Sequence, residues 1–221
     1  MTTPLPSVWA YRPLGYLVGF VVRLLGGVRS IGLENLPRTG PAIIVANHYT
    51  LVDPLVAGWG TCWQIGRVVH FISKAEIRGW PIAGWLGTHA GVIYVRRGEI
   101  NRDAQRQSLA VLAAGHVLIV FPEGTRSPSG ALISARDGTA LLAMRSGAPI
   151  VPVGITGTEG MLSWRAVFGP RPHAIVQIGA PFSLPHRPGG PIDRAELVDG
   201  TTRMMREVAA LLPPARRGVY G

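Results

Sequence analysis

The sequence predicts an α/β fold: a mixed, mostly parallel central sheet flanked by helices and preceded by an N-terminal amphipathic helical segment. Three observations lead there. Short apolar runs rich in Val and Ile recur at 42–46, 68–72, 91–95, 117–121, 150–155 and 174–179. Helical spacing marks 54–60, 102–114, 138–146 and 193–212, between or after those runs. Alternation of this kind builds strand–helix–strand units, and near-continuous apolar strands are the ones covered on both faces. Residues 12–28 form the third pattern, a helical repeat ahead of the first predicted strand.

In that first segment, Leu14, Leu17, Val18, Val21, Leu24, Leu25 and Val28 fall on one face at three- and four-residue intervals. Arg12, Tyr16, Gly19, Arg23 and Gly26 fall on the other. Arg23 interrupts the ~20 apolar residues that a membrane span needs. The segment is therefore expected in a membrane interface, with packing on the protein's own core as the alternative. Turn residues in LPRTGP lead into the strand 42–46. Asp53 is a natural N-cap and Pro54 suits the first position of the next helix. Gly147 closes the helix 138–146, and Pro213–Pro214 stops the last one. The expected organisation is a membrane-associating segment at 1–30, an α/β domain at 31–214 and a loose tail at 215–221.

Composition narrows the partners. The 221 residues carry a formal charge of +10, which favours an anionic partner: nucleic acid, an acidic membrane surface or a phosphorylated substrate. Lys74 is the lone lysine among 22 basic residues, a bias that codon composition also produces. The arginines are scattered rather than clustered, which argues against nucleic acid. Cys62 is the single cysteine, excluding an internal disulfide and a cysteine-built zinc site. With no secretory signal pattern at the N-terminus, a reducing compartment is expected.

Four segments carry candidate chemistry. In NHYTLVD, His48 and Asp53 are five residues apart, too far round a helix to meet and on opposite faces of a strand. A bend between strand and helix brings them together, as a general base oriented by a carboxylate or merely as a capped turn. No G-x-S-x-G elbow accompanies them, so the hydroxyl to be activated is expected on the substrate. FPEGTRS ends an apolar strand in Glu123, Gly124, Thr125 and Arg126, where a guanidinium and a close-approaching backbone suit phosphate. A surface Glu123–Arg126 ion pair is the plainer reading of those residues. GVIYVRR likewise ends a strand in Arg97, as a phosphate ligand or a solvated edge. Pro152, inside the run IVPVGIT, marks an edge, a bulge or a site wall.

In order and spacing these four segments, within residues 40–157, resemble the motifs of the lysophospholipid (1-acylglycerol-3-phosphate) acyltransferase family. The resemblance implies direct acyl transfer from an acyl thioester, acyl-CoA or acyl carrier protein, with no cofactor and no metal. His48 would act as base and Asp53 would orient it. Arg97, Glu123, Gly124, Thr125 and Arg126 match the glycerol-phosphate pocket, assisted by Lys74 in SKAEI. Pro152 matches the motif tied to the acyl donor or to site shape. The expected reaction acylates the sn-2 hydroxyl of 1-acylglycerol 3-phosphate on a membrane surface, at the cytoplasmic face, giving phosphatidate. The alternatives are another acceptor (glycerol 3-phosphate, another lysophospholipid or a glycolipid) or a silent lipid-binding protein. Thr50 stands where many members carry serine, and SARDGTA replaces a Phe-Lys-x-Gly stretch.

Overall fold

A computed structural model describes residues 8–81, 84, 87, 91–95, 101–162 and 172–221. Its elements run α1 (Val8–Leu24), β1 (Val28–Ile31), β2 (Ala42–Ala46), α2 (Asp53–Gly60), β3 (Val69–Lys74) and β4 (Ile93–Val95). They continue with α3 (Arg102–Ala113), β5 (Val117–Val120), α4 (Gly138–Ser146), β6 (Ile150–Thr156), β7 (Ala174–Ile178) and α5 (Arg194–Ala210). The strands form one sheet in the order β1-β7-β6-β2-β5-β3-β4. Every neighbouring pair is parallel except β6 with β7. The mixed, mostly parallel sheet expected from the sequence is the observed one.

Period-two alternation splits each central strand between two cores. Ala42, Ile44 and Ala46 of β2 join Ile119, Val151 and Val153 beneath α1 and α2. Ile43 and Val45 join Leu118, Val120 and Ile150 beneath α3, α4 and α5, whose Leu112, Met144, Met204 and Met205 fill that side. Both faces of β2 are therefore dry, which is why its sequence is apolar throughout.

Two expectations fail at the start of the chain. The apolar spacing predicts a helix running to Val28, but α1 ends at Leu24 because Gly26 and Gly27 take φ of 134° and 98°. A side chain at Gly26 would also strike the Pro172 carbonyl. The chain then re-enters as β1, a strand whose four residues VRSI are too few and too polar to announce themselves. The second correction concerns the faces of α1. Leu14, Val18 and Val22 lie in the core, and Gly15 and Gly19 let the helix rest on the rings of Trp63 and Trp59. Tyr16, Leu17, Phe20 and Leu24 are exposed, an apolar stripe at helical spacing with Arg23 beside it. Only part of the face expected to meet lipid is available to it, and Tyr16 adds to that part from the face read as the other one.

The tail is not loose. Leu132 N–H donates to the Arg216 carbonyl at 3.0 Å, Val219 N–H to the Leu132 carbonyl at 3.3 Å, and Ala135 N–H to the Tyr220 hydroxyl at 2.9 Å. Pro213–Pro214 does end the helical region, and two short 3-10 turns follow it over the loop after β5.

Candidate active site

The C-terminal ends of β2, β5 and β3 lie side by side, and at those ends the chain places His48, the Glu123–Arg126 turn and Lys74. Ligand sites of open α/β sheets form at such ends. At the end of β2, Asn47 substitutes its side chain for a strand backbone. Its Nδ2 donates to the Ile155 carbonyl at 2.9 Å, and its Oδ1 accepts the Ile155 N–H at 2.7 Å. The main chain is thereby free to turn out of the sheet while β6 keeps its bonds.

His48 is gripped through its backbone. Its N–H donates to Glu123 Oε1 at 2.8 Å, and its carbonyl accepts from the Ser127 N–H at 2.8 Å. Phe121 covers the ring, with centroids 4.6 Å apart. Nδ1 lies 3.0 Å from Asp53 Oδ2, the imidazole being 19% exposed and the carboxylate fully buried. Opposite an ionised carboxylate Nδ1 carries the proton, which leaves the Nε2 lone pair as the basic site.

Asp53 gathers its donors from the turn before it. Oδ2 also accepts the backbone N–H groups of Tyr49 and Thr50, each at 2.7 Å. Oδ1 accepts the hydroxyls of Thr50 at 2.5 Å and Thr158 at 2.7 Å. Burial raises the carboxyl pKa, but these donors outweigh it and hold Asp53 below its ordinary 3.8. The same geometry corrects the capping assignment. Val52 is the N-cap, its carbonyl accepting from the Val56 N–H, and Asp53 is the first helical residue. Its oxygens are drawn back onto the turn instead of forward onto the helix. Pro54 stands at the helix start as expected.

Glu123 departs from its expected place in a phosphate pocket. Its carboxylate is buried and turned inward, accepting the N–H groups of His48 and, at 3.0 Å, Ile133. Burial, reinforced by the charge of Asp53, pushes its pKa up to about 7 against the pull of those two amides. It braces the His48 turn, and it forms no ion pair with Arg126. Gly124 takes φ of 65°, and a side chain there would come within 3.2 Å of Arg136 Nε. Thr125 and Arg126 are exposed on this turn, and Arg136 brings a second guanidinium beside it. Lys74, half-buried, ends β3 in register with Val95. Arg97 lies outside the described residues.

Pro152 sits in β6, an interior strand, opposite Val45. A bulge accommodates it. The register Val153 to Ile178 would bring Ile150 opposite Pro181, yet Ile150 pairs with Phe182, one residue further on. The Pro152 carbonyl accepts from the Gly179 N–H at 2.9 Å within that irregularity. The bulge reading of this proline is therefore realised, and the edge reading is not.

Sequence reasoning missed several residues here: Asn47, Thr158 and a clasp over Tyr49. The Arg216 guanidinium lies 4.7 Å from the Tyr49 ring centroid and bonds Glu159, which also accepts the Tyr49 hydroxyl at 3.3 Å. Their partners are distant in sequence, so no local spacing could reveal them.

A family model described as Acyltransferase matches residues 27–156, more than half of the chain. The chain belongs to the acyltransferase family. A chloroplastic 1-acyl-sn-glycerol-3-phosphate acyltransferase of Arabidopsis thaliana is 35% identical over 143 residues, which are 60% of this chain and 39% of that protein. The chain thus spans well under half of that relative. A 1-acyl-sn-glycerol-3-phosphate acyltransferase of Limnanthes douglasii is 30% identical over 94% of this chain and 71% of its own length. A lyso-ornithine lipid O-acyltransferase of Pseudomonas aeruginosa is 31% identical over 75% of this chain and 67% of its own length. Among solved structures, the 1-acyl-sn-glycerophosphate acyltransferase PlsC of Thermotoga maritima superposes with a TM-score of 0.66 at 25% identity, covering 92% of this chain and 78% of that one. The acyltransferase-family segment contains His48, Asp53, the Glu123–Arg126 turn and Pro152, and it ends just before Thr158.

Proposed function

We propose that this chain moves a fatty acyl group from an acyl thioester to the sn-2 hydroxyl of 1-acylglycerol 3-phosphate, giving phosphatidate. The observation that carries this reading is the His48–Asp53 pair, with Nδ1 held at 3.0 Å and the ring partly open beside the Glu123–Arg126 turn. The acceptor hydroxyl gives its proton to Nε2 as its oxygen attacks the thioester carbonyl. The tetrahedral intermediate then expels the thiolate, which takes the proton back from the imidazolium. Asp53 keeps the ring in one tautomer and stabilises its charged form. Arg126, Lys74 and Arg97 are proposed to hold the acceptor phosphate, with Thr125 and the Gly124 backbone close to it. Anchoring that remote group orients the reacting hydroxyl. Pro152 is proposed to shape the site through its bulge.

The acceptor reaches this site at a membrane surface, on the cytoplasmic face. No helix among the described residues is long and apolar enough to cross a membrane. The exposed Tyr16, Leu17, Phe20 and Leu24 are proposed to seat α1 in the interface, with Arg23 among lipid phosphates. A second reading, acylation of lyso-ornithine lipid by the same chemistry, is favoured by the extent of the Pseudomonas match. A panel of acceptors tested with acyl-CoA and acyl carrier protein, using purified protein on vesicles, separates the two. Turnover of 1-acylglycerol 3-phosphate supports the first reading. Turnover of lyso-ornithine lipid alone supports the second, and acylation of neither overturns both.

A further inference from the structure

The Asp53 carboxylate faces two opposing demands. In a dry site it needs donors to stay ionised, yet each donor withdraws charge that would otherwise stabilise the imidazolium of His48. The structure divides the donors between its two oxygens. Oδ2, the oxygen facing His48, takes the imidazole and two rigid amides. Oδ1 takes only hydroxyls, those of Thr50 and Thr158.

Thr50 belongs to the turn itself. Thr158 does not: it lies 105 residues further on, in the loop that follows β6, and is 1% exposed. Its Oγ1 lies 2.7 Å from Asp53 Oδ1 and 2.9 Å from Thr50 Oγ1. A hydroxyl has one hydrogen to give. Thr158 gives its hydrogen to Oδ1, a charged acceptor that lies nearer than the Thr50 oxygen. The Thr158 backbone is anchored in turn, its N–H donating to the Tyr49 hydroxyl at 3.2 Å. Tyr49 is next to His48 in the chain, so Thr158 bonds the catalytic turn at two separate points.

We propose that Thr158 is a positioning residue for acyl transfer, fixing the rotation and charge of the Asp53 carboxylate that orients His48. The proposal rests on the general-base reading above. The Thr158 hydroxyl is buried away from substrate and acts through Asp53, whereas its N–H anchors Tyr49. Without its hydroxyl, Oδ1 keeps one donor, and the carboxylate loses a restraint on its rotation. The carboxylate also becomes a stronger proton acceptor, so the His48–Asp53 pair as a whole holds its proton to higher pH.

The test is a pH–rate profile of Thr158→Val, which keeps the shape and deletes the hydroxyl, beside Thr158→Ser, which restores it. In Thr158→Val, kcat should fall roughly ten- to a hundred-fold, because a carboxylate free to rotate no longer fixes the imidazole in its reactive orientation. KM for the acceptor should stay within about two-fold, as expected of an effect confined to the transition state. The acid limb of kcat/KM should move upward by on the order of half a pH unit, and Thr158→Ser should return both values to wild type. Thr158→Ala serves in place of valine if valine is not accommodated. A folded variant without the hydroxyl that keeps wild-type kcat and acid limb overturns the proposal. So does a fall in kcat with an unmoved acid limb, which would make Thr158 a packing residue. His48→Ala run alongside distinguishes the two levels. Activity surviving that change defeats the general base itself, whereas its loss beside a normal Thr158→Val defeats only Thr158.

Discussion

Replacing Glu123 with glutamine should change how stability depends on pH, in a direction the structure fixes. The folded protein holds a proton on Glu123 up to about pH 7, whereas an ordinary glutamate releases it near 4.5. A carboxyl that binds its proton more tightly when folded supports the fold fully below 4.5 and withdraws that support as pH rises through 7. At ~1.4 kcal/mol for each pH unit, the interval amounts to about 3 kcal/mol at most. Glutamine has nearly the same shape and no charge to bury, so Glu123→Gln should lose little between pH 5 and pH 8. Urea unfolding of both proteins across that range isolates the effect, because every other titrating group is common to the two. Whatever constant offset the amide brings, the wild-type curve should fall relative to the variant's by up to about 3 kcal/mol between pH 5 and pH 8. Activity should move the other way. The new amide puts an N–H where the carboxylate accepted from His48 or Ile133, which disturbs the turn that carries His48. Parallel stability curves would refute the argument, since they would mean that Glu123 ionises alike in both states.

His48→Ala should abolish acyl transfer with the fold intact, and a folded variant of near-normal activity in an acylation assay would end the mechanism. Asp53→Asn should impair turnover strongly and also remove an acid sensitivity. The depressed Asp53 pKa supports the fold above about 3.8 and fails as pH drops below it, so acid unfolding of the variant should be less steep in that range. Arg126→Ala should raise KM for a phosphorylated acceptor by about ten-fold or more through a lost guanidinium–phosphate contact; unchanged acceptor kinetics would leave Arg126 a surface charge. Leu17→Asp combined with Phe20→Asp, both on the outer stripe of α1, should weaken vesicle sedimentation without lowering the melting temperature. Val18→Asp should instead unfold the protein, because Val18 is in the core.

The strands and helices were legible wherever one residue pattern had one cause. The run 42–46 is apolar because both faces of β2 are covered, and its observed limits are the expected ones. The His48–Asp53 bend was readable because the interval fits neither regular structure. Reading α1 was harder, since an apolar stripe reports burial without saying whether protein or lipid does the burying. Its inner residues went to Trp59 and Trp63, which no local spacing could announce. β1 escaped because its alternating burial spans only four residues beyond a glycine break. Glu123 was assigned to the phosphate pocket by the family resemblance alone; only the fold shows the His48 and Ile133 amides already on its carboxylate. Thr158 and Arg216 were invisible for the same reason, their partners being distant in sequence.

Asn47 has a consequence for how the His48–Asp53 turn tolerates sequence change. Its amide supplies one donor and one acceptor at the two points where Ile155 needs them, and the residue is only 2% exposed. Aspartate offers no donor when ionised, serine has one short arm, and glutamine is a methylene too long. Leucine would strand two buried backbone groups, at roughly 1–3 kcal/mol each. A saturation library across residues 47–53 should therefore be uneven. Exposed Leu51 should accept many side chains, and Thr50 should keep its hydroxyl. Position 47 has an alphabet of one letter.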